Sequence, residues 1–494
     1  MGTHSINKLK KKELFALAHF TGYILVILAV MMLAPLIVSL IYNEPHYLNS
    51  FIKSALITSA IGLLLYRGFG GGEREDLTSR SSLLFVTYIW FVAAFVVSLP
   101  FIFSNDLSFL DALYESMSAI TTTGMTMYVD TENLAYSILM WRAICQWLGG
   151  IGIIILLLTI VPSSVTLMRL YSAEGRTEQI APSMKHSAMI FTKIYLGFTG
   201  LGFILYLISG MDIFNAICYS FTAISSGGFT NHNSALGWFD STLVELITMF
   251  LMIVGSTNYI IHYYTVKGNF KVAFKDIEVR LMALFLIVGS IIVTFSLMTS
   301  HFFGNNLFMA CRHGIFQVVS AVTTTGFQTV NIGNWPTISL LILSIFMILG
   351  GGACSAAGGI KLYNVAVAFK AIVWEVYAMI LPKNTVPVHT ITHVKTKIIQ
   401  DKQVKQISLY VIAYILILFV SILSLSFFYS DLVAVLVNVS SALGNVGLTT
   451  SMISAHSPSF VKIVLIIDFW IGRLGVWPVL IFIIYMVEFS KIKV

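Results

Sequence analysis

The chain has 494 residues, of which 57% are hydrophobic and only 10% are charged, with a formal net charge of +7. Soluble domains carry about 25% charged residues, so this composition excludes a soluble enzyme or binding module and points to a chain solvated by lipid. The positive excess does not indicate nucleic acid, because lysines and arginines gather between alternate apolar stretches, as the positive-inside rule requires of a polytopic membrane protein.

In chain order, Lys8, Lys10, Lys11 and Lys12 precede an apolar stretch from about Leu14 to Tyr42. It is longer than a signal-peptide core and lacks a clear small-residue cleavage site, so it reads as an uncleaved span with a cytoplasmic start. A second stretch, Phe51 to Tyr66, leads into a loop holding Arg67, Arg74 and Arg80. Residues 1–75 are therefore assigned to an N-terminal cytoplasmic segment and an accessory two-span hairpin.

Four units of one plan follow, assigned to residues 76–165, 166–268, 269–385 and 386–494. Each has a long first span, a short apolar segment, a glycine loop and a second span. First spans run near Leu83 to Phe103, Ala188 to Ser209, Leu281 to His301 and Ile407 to Phe428. Second spans start near Leu134, Thr242, Ile338 and Val461. Ten spans result, with both termini cytoplasmic. The loops assigned inside carry Arg169, Arg176 and Lys185, then Lys267, Lys271, Lys275 and Arg280, then Lys361, Lys370, Lys383, Lys395 and Lys397. Those assigned outside carry mainly Asp106, Asp130, Glu132, Asp212 and Asp240, either as an acidic mouth that concentrates cations or as ordinary solvated loop residues.

The glycine loops are the repeated motif: Ser116 to Thr126, Ser220 to Thr230, Phe316 to Thr329 and Ser440 to Thr450. Their aligned glycines, Gly124, Gly228, Gly326 and Gly447, recur roughly every 100 residues. Each apolar segment before the glycine is too short to cross a hydrocarbon core that needs about 20 helical residues, so it reads as a re-entrant pore helix. A single Thr-Thr-Gly is more often a membrane-loop turn. Four copies favour rings of backbone carbonyls that replace the hydration shell of a monovalent cation, as in potassium filters. The candidate ion-binding residues are Thr122, Thr123 and Gly124; Ser226, Gly227 and Gly228; Thr324, Thr325 and Gly326; and Asn445, Val446 and Gly447. Potassium is the expected ion.

Each second span is interrupted about a dozen residues in: at Gly149, Gly150 and Gly152; at Gly255, Ser256 and Asn258; at Gly350 to Gly359; and at Gly472, Arg473 and Gly475. Irregular backbone at that depth must be buried in protein or line water. The run Gly350, Gly351, Gly352, Ala353, Cys354, Ser355, Ala356, Ala357, Gly358 and Gly359 contains more glycine than close helix packing needs, so it is expected to form a flexible gating loop below the filter. Lys361 does not make it a nucleotide loop, because Ile360 and Leu362 break the required Gly-Lys-Ser/Thr. Arg473 at such depth faces water or a partner. It either opposes cations in the cavity or forms a structural pair with Asp468, five residues away in poor helical geometry.

No catalytic constellation is present, so an enzyme is not expected. Cys145, Cys218, Cys311 and Cys354 match neither a transition-metal site nor a disulfide framework. His389 and His393 are four apart in a stretch that alternates like a strand, with no third ligand evident. Glu115, Arg142, Arg312 and His313 are expected to brace pore helices.

These residues resemble the TrkH family, the membrane subunits of bacterial Trk potassium uptake systems, within the superfamily that includes Ktr and high-affinity potassium transporters. The resemblance is carried by Trp147 to Gly152, Arg169 to Glu174, Gly227 to His232 with Trp238 to Asp240, Phe316 to Gly326, and Gly350 to Lys361. It spans all four repeats and the N-terminal hairpin. It implies an all-α fold with four parallel repeats in pseudo-fourfold order around one pore. It also implies a homodimer in the cytoplasmic membrane and a cytosolic TrkA-like subunit that carries the regulatory nucleotide. No covalent cofactor and no nucleic acid are implied. Two positions depart from the family: the fourth filter reads Gly444-Asn-Val-Gly447-Leu, less glycine-rich than TrkH, and Gly475 stands where TrkH commonly has an acidic residue. The resulting expectation is a channel-like potassium permease; the alternative is a proton- or sodium-coupled carrier of a monovalent cation or small solute, which is expected to use inverted repeats. These repeats all start on one side.

Overall fold

A computed structural model describes residues 11–70, 77–153, 155, 158, 165–173, 180, 183–380 and 389–491. Lys8, Lys10, Arg74, Arg176, Lys383 and Glu174, used above, lie outside these residues, as do the expected boundaries at 75/76 and 385/386.

The N-terminal span runs Lys12–Ile41 and breaks at Met32, where Pro35 cannot donate to the Met31 carbonyl. Pro45–Gly68 returns against it. The two approach closely through Gly22 and Gly62: a Cβ on Gly22 would collide with the Tyr66 nitrogen and the Gly62 carbonyl.

Each of the four repeats opens on a long apolar helix: Ser79–Phe103, Met184–Ile208, Ile277–Thr299 and Asp401–Ser426. Large apolar side chains such as Ile208, Ile291, Phe295 and Phe419 stay exposed along these helices, a surface that only lipid or another apolar partner satisfies. The pore helices are Phe109–Ile120, Ile213–Ile224, Leu307–Val322 and Leu432–Gly444. At about 1.5 Å per residue they reach roughly 18–24 Å, short of a core of about 30 Å. Each begins at a side-chain cap, Ser108, Asp212, Asn306 or Asp431, that accepts from the first turn.

Every second helix breaks where the glycine pattern predicts. Tyr136–Ile151 stops at Gly152 (φ 92°), Thr337–Leu349 at Gly350 (φ 62°) and Ser459–Leu474 at Gly475 (φ 83°). In the second repeat Thr242–Ser256 and Tyr259–Val266 meet at 106° through Thr257 and Asn258. These breaks explain why only 7 described helices, or 8 with the bent pair, are long enough to cross a membrane, against ten expected spans: Leu362–Ile380, after the break of the third repeat, qualifies by itself, whereas Tyr136–Ile151 in the first repeat and Ser459–Leu474 and Val476–Lys491 in the fourth are individually too short.

Charged pairs lock pore helices to the second helices beside them. Arg142 Nε lies 2.9 Å from Glu115 in a site from which both side chains are excluded from solvent, and Arg142 Nη1 donates to the Thr230 carbonyl at 3.1 Å. Arg312 pairs with Glu245 at 2.9 Å and Lys462 with Asp111. His313 Nδ1 lies 2.9 Å from Thr329 Oγ1. The acids expected outside serve these joints: Asp212 caps a pore helix, Asp240 pairs with Arg312, and Asp130 accepts from Asn233 Nδ2. Asp468 does not hydrogen-bond Arg473; its Oδ1 accepts from Ser421 at 2.8 Å and its Oδ2 has no hydrogen-bond partner.

The strand-like stretch around His389 and His393 forms an antiparallel hairpin, Thr390–His393 with Lys395–Ile398. It packs Ile391 and Ile399 against Ala366 and Val367 of the helix Leu362–Ile380.

Because Glu115→Ala leaves Arg142 buried without its carboxylate, a loss of about 3–5 kcal/mol is expected. Size-exclusion profiles of the solubilised variant should show a marked fall in monodisperse protein; an unchanged profile and melting temperature would count against a bracing role.

Candidate functional site

The four pore helices end in the same backbone motif. Thr122, Ser226, Thr324 and Asn445 adopt φ of 60°, 50°, 52° and 52°, and Gly124, Gly228, Gly326 and Gly447, two residues on, adopt 86°, 74°, 88° and 101°. In each loop the residue between them donates its N–H back across five residues: Thr123 to Ser118, Gly227 to Thr222, Thr325 to Ser320 and Val446 to Ser441, at 2.8–3.0 Å. This is the Schellman termination, in which a left-handed residue stops the helix. Glycine or asparagine normally takes that position. Asn445 follows this preference, whereas β-branched Thr122 and Thr324 are strained there, and strain of this kind concentrates at functional sites.

The loops close on one another in chain order. A Cβ on Gly124 would strike the Gly227 carbonyl, one on Gly228 the Thr325 carbonyl, one on Gly326 the Val446 carbonyl and one on Gly447 the Thr123 carbonyl. The central carbonyl of every triplet therefore abuts the glycine of the loop before it, and the fourth returns to the first. All twelve candidate residues come together in this ring. The pore helices direct their C-terminal, partially negative ends toward it, which favours a cation.

The run from Gly350 to Gly359 lies directly against the ring. Gly358 N donates to Thr324 Oγ1 at 3.1 Å, and a Cβ on Gly358 would meet Asn445 and the Gly444 carbonyl. The run is irregular but hydrogen-bonded: Gly352 N to Ser256 O at 2.9 Å, Ala356 N to Gly255 O at 3.2 Å, Ile360 N to Ile348 O at 3.0 Å and Leu362 N to Gly351 O at 3.0 Å. Arg473 joins the two levels. Its Nη1 donates to Ala356 O at 2.5 Å and to Thr122 Oγ1 at 3.3 Å, and its Nη2 donates to the Gly149 carbonyl. A cavity of about 270 Å³ opens beside Arg473, Ser355 and Gly359. Strained threonine hydroxyls thus face the run and the arginine.

Two sets of residues escape a reading of the sequence. Gln146, fully buried, donates from Nε2 to Gly227 O at 2.6 Å and accepts from Phe229 N at 3.1 Å, pinning the second loop from the first repeat. An amide inside an apolar run was its only signal. Asp276 and Glu278 gather around His393, with one ligand-type atom of each within 4.8 Å of the others; they supply the neighbours that the histidine pair lacked in sequence. His389 stacks on Trp374 at 4.5 Å instead.

A polytopic helical membrane protein with four re-entrant loops closed around one axis is the architecture of a cation-conducting pore. The TrkH family model, described as a cation transport protein, matches residues 46–493, and the chain belongs to that family. It is 32% identical over 479 residues to an uncharacterized cation transporter of Methanocaldococcus jannaschii, covering 96% of each chain. It is 30% identical over 477 residues to the Trk system potassium uptake protein TrkH of Escherichia coli, covering 94% of this chain and 97% of that one. The crystal structure of the potassium transporter TrkH from Vibrio parahaemolyticus superposes with a TM-score of 0.84 at 27% identity, over 95% of this chain and 98% of that one.

Gln146→Leu should leave Gly227 O and Phe229 N without their side-chain partner and loosen the second loop. A several-fold fall in discrimination among alkali cations is expected, read as relative fluxes in proteoliposomes; unaltered discrimination would mean that the loop holds its shape alone.

Proposed function

We propose that the protein is the membrane subunit of a Trk-type uptake system that conducts potassium through the ring and is closed by the Gly350 to Gly359 segment. The observation that carries this reading is the closure of the four glycine loops, each glycine against the central carbonyl of the next loop. Such a ring offers fixed oxygens in place of water around a monovalent cation. Thr122, Thr123, Gly124, Ser226, Gly227, Gly228, Thr324, Thr325, Gly326, Asn445, Val446 and Gly447 are assigned to ion binding. The returns to the pore helices and the glycine–carbonyl contacts fix this backbone, so dehydration is offset without rearranging the loops.

The gate is assigned to the glycine segment and Arg473. The segment stands in the ion's path as a steric plug, and Arg473 adds positive charge where a cation leaves the ring. Opening requires Arg473 to release Ala356 and the segment to leave Ser256. An inside-negative membrane potential contributes about 2.3 kcal/mol per elementary charge per 100 mV, enough to drive inward flux without a coupled ion. This driving force, with the parallel repeats, supports a permease over a symporter. The resemblance further supports a homodimer in the cytoplasmic membrane with both termini inside, and a cytosolic TrkA-like subunit whose nucleotide state moves the segment. The repeat boundaries stated above are part of the same proposal.

The filter assignment is tested with Gly326→Ser. Its Cβ meets the Val446 carbonyl at a φ that L-residues resist, so at least a tenfold loss of potassium-over-sodium preference is expected in flux assays on folded protein. Retained selectivity would sink the carbonyl ring.

The gate assignment is tested by shortening the run between Gly351 and Ala357 and, separately, by Arg473→Ala. Partner-free potassium flux, normalised to folded protein, should rise several-fold in both. A fall in both with protein still folded would instead make these residues supports of the pore.

A further inference from the structure

Asp276 and Glu278 begin the helix Ile277–Thr299 at the end away from its pore helix, and both are almost wholly buried. Glu278 Oε1 accepts from Ala353 N at 2.8 Å and Tyr363 N at 3.2 Å, while Asn258 Nδ2 lies 3.4 Å from Oε2. One carboxylate thereby holds Ala353 within the glycine segment and Tyr363 in the helix that follows it, and touches the break of the second repeat. Asp276 Oδ1 accepts from Glu278 N at 2.9 Å, and Oδ2 accepts from Val394 N at 2.8 Å with His393 Nδ1 at 3.0 Å. His393 Nδ1 also lies 3.9 Å from Glu278 Oε2.

The trio of Asp276, Glu278 and His393 has donors suited to a divalent ion, but its carboxylate oxygens are already engaged by N–H groups. Three of those N–H groups, from Ala353, Tyr363 and Val394, belong to backbone outside the helix that carries the acids. That is the arrangement of a clamp: hydrogen bonds to an ionised carboxylate are the stronger ones, and these acids accept from the backbone of neighbouring elements.

We propose that Glu278 is the positioning residue that keeps the glycine segment under the ring, and that the hairpin of Thr390–His393 and Lys395–Ile398 sets its grip through His393 and Asp276. The hairpin is the part of this chain of contacts that reaches the surface, with Lys395 and Lys397 exposed. A cavity of about 640 Å³ separates it from the segment and is bordered by Ala353, Cys354, Lys361, Tyr363 and His393. The segment has room to withdraw there once Glu278 lets go. A pull on the hairpin shifts Asp276, the N-cap of the helix, and with it the backbone that carries Glu278 two residues on. The inference rests on reading the segment as the gate.

Cys354 lies within the segment and is buried, so it reports displacement directly. In a full-length background with Cys145, Cys218 and Cys311 replaced by alanine, Glu278→Ala should raise N-ethylmaleimide modification of Cys354 from the cytoplasmic side about tenfold. Partner-free potassium flux should rise several-fold with unchanged potassium-over-sodium preference, a combination that general loosening of the protein would not preserve. Glu278→Gln, which keeps an acceptor for Ala353 and Tyr363 without the charge, should fall between. His393→Gln should raise both readouts alone and add nothing to Glu278→Ala. Should Glu278→Ala fold poorly, His393→Gln and Glu278→Gln carry the same test. Parent-level labelling and flux in the folded Glu278 variants, while shortening the segment still raises flux, would overturn the clamp and leave the gate standing. Raised Cys354 labelling in the Glu278 variants, with no rise in flux either in those variants or in the shortened segment, would keep the clamp and overturn the gate. Additive effects of the His393 and Glu278 changes would overturn the link to the hairpin.

Discussion

Backbone that leaves the helix inside a hydrocarbon layer must find hydrogen-bond partners within the protein or border water. Among the described residues, the four glycine loops and the four breaks of the second spans leave the helix, and their polar groups are satisfied within and between repeats. The loops bond to their own pore helices through the five-residue return of Thr123, Gly227, Thr325 and Val446. The glycine segment of the third repeat bonds both to its own repeat, through Thr324 and Glu278, and to the second, through Gly255 and Ser256. Arg473 of the fourth repeat then supplies donors to carbonyls of the first and third. No repeat is complete without its neighbours, so the pore is an obligate product of folding all four.

Much of this arrangement was legible in the sequence, for identifiable reasons. A small hydroxyl residue or asparagine before Gly124, Gly228, Gly326 and Gly447 is a local signal, and the motif's local bonds lie within six residues. Helix breaks at Gly152, Gly350 and Gly475 are likewise local, because a positive φ excludes most side chains. The unexpected features depend on distance. Asp468 pairs with Ser421, 47 residues back, rather than with the arginine on its own helix. Glu278 in a first helical turn looks like any acidic residue beside a helix dipole; only the fold brings Ala353 and Tyr363 to it. Gln146 was visible as a polar residue in an apolar run, but its target, the Gly227 carbonyl, lies 81 residues on.

The electrostatics of the centre follow from which groups are fixed. Carbonyls and helix ends are partial charges of the backbone, and the hydroxyls of Thr122 and Thr324 sit on short side chains beside it, whereas Arg473 is a full charge on a long side chain that donates to Thr122, Ala356, Gly149 and Gly150 and lies 5.3 Å from the Trp90 ring. Fixed dipoles select without reorganising. A mobile full charge can be moved aside. Under the proposed function, this division puts discrimination in the ring and control at the glycine segment and Arg473.

The direction of ring closure constrains how the four loops can diverge. Each glycine makes room for the carbonyl of the loop that follows, so the tolerance of any loop is set by its predecessor and not by the loop opposite. The fourth loop illustrates this: Val446 replaces the smaller residues of the others, its carbonyl rests on Gly326, and the Asn445 side chain reaches Thr123 Oγ1 at 2.9 Å. A change in that loop is accommodated by the third and first repeats and is invisible to the second. Substitutions accumulating in such a ring should therefore appear as correlated pairs between adjacent repeats, carrying a handedness around the axis that a symmetric fourfold assembly of identical subunits has no means to record.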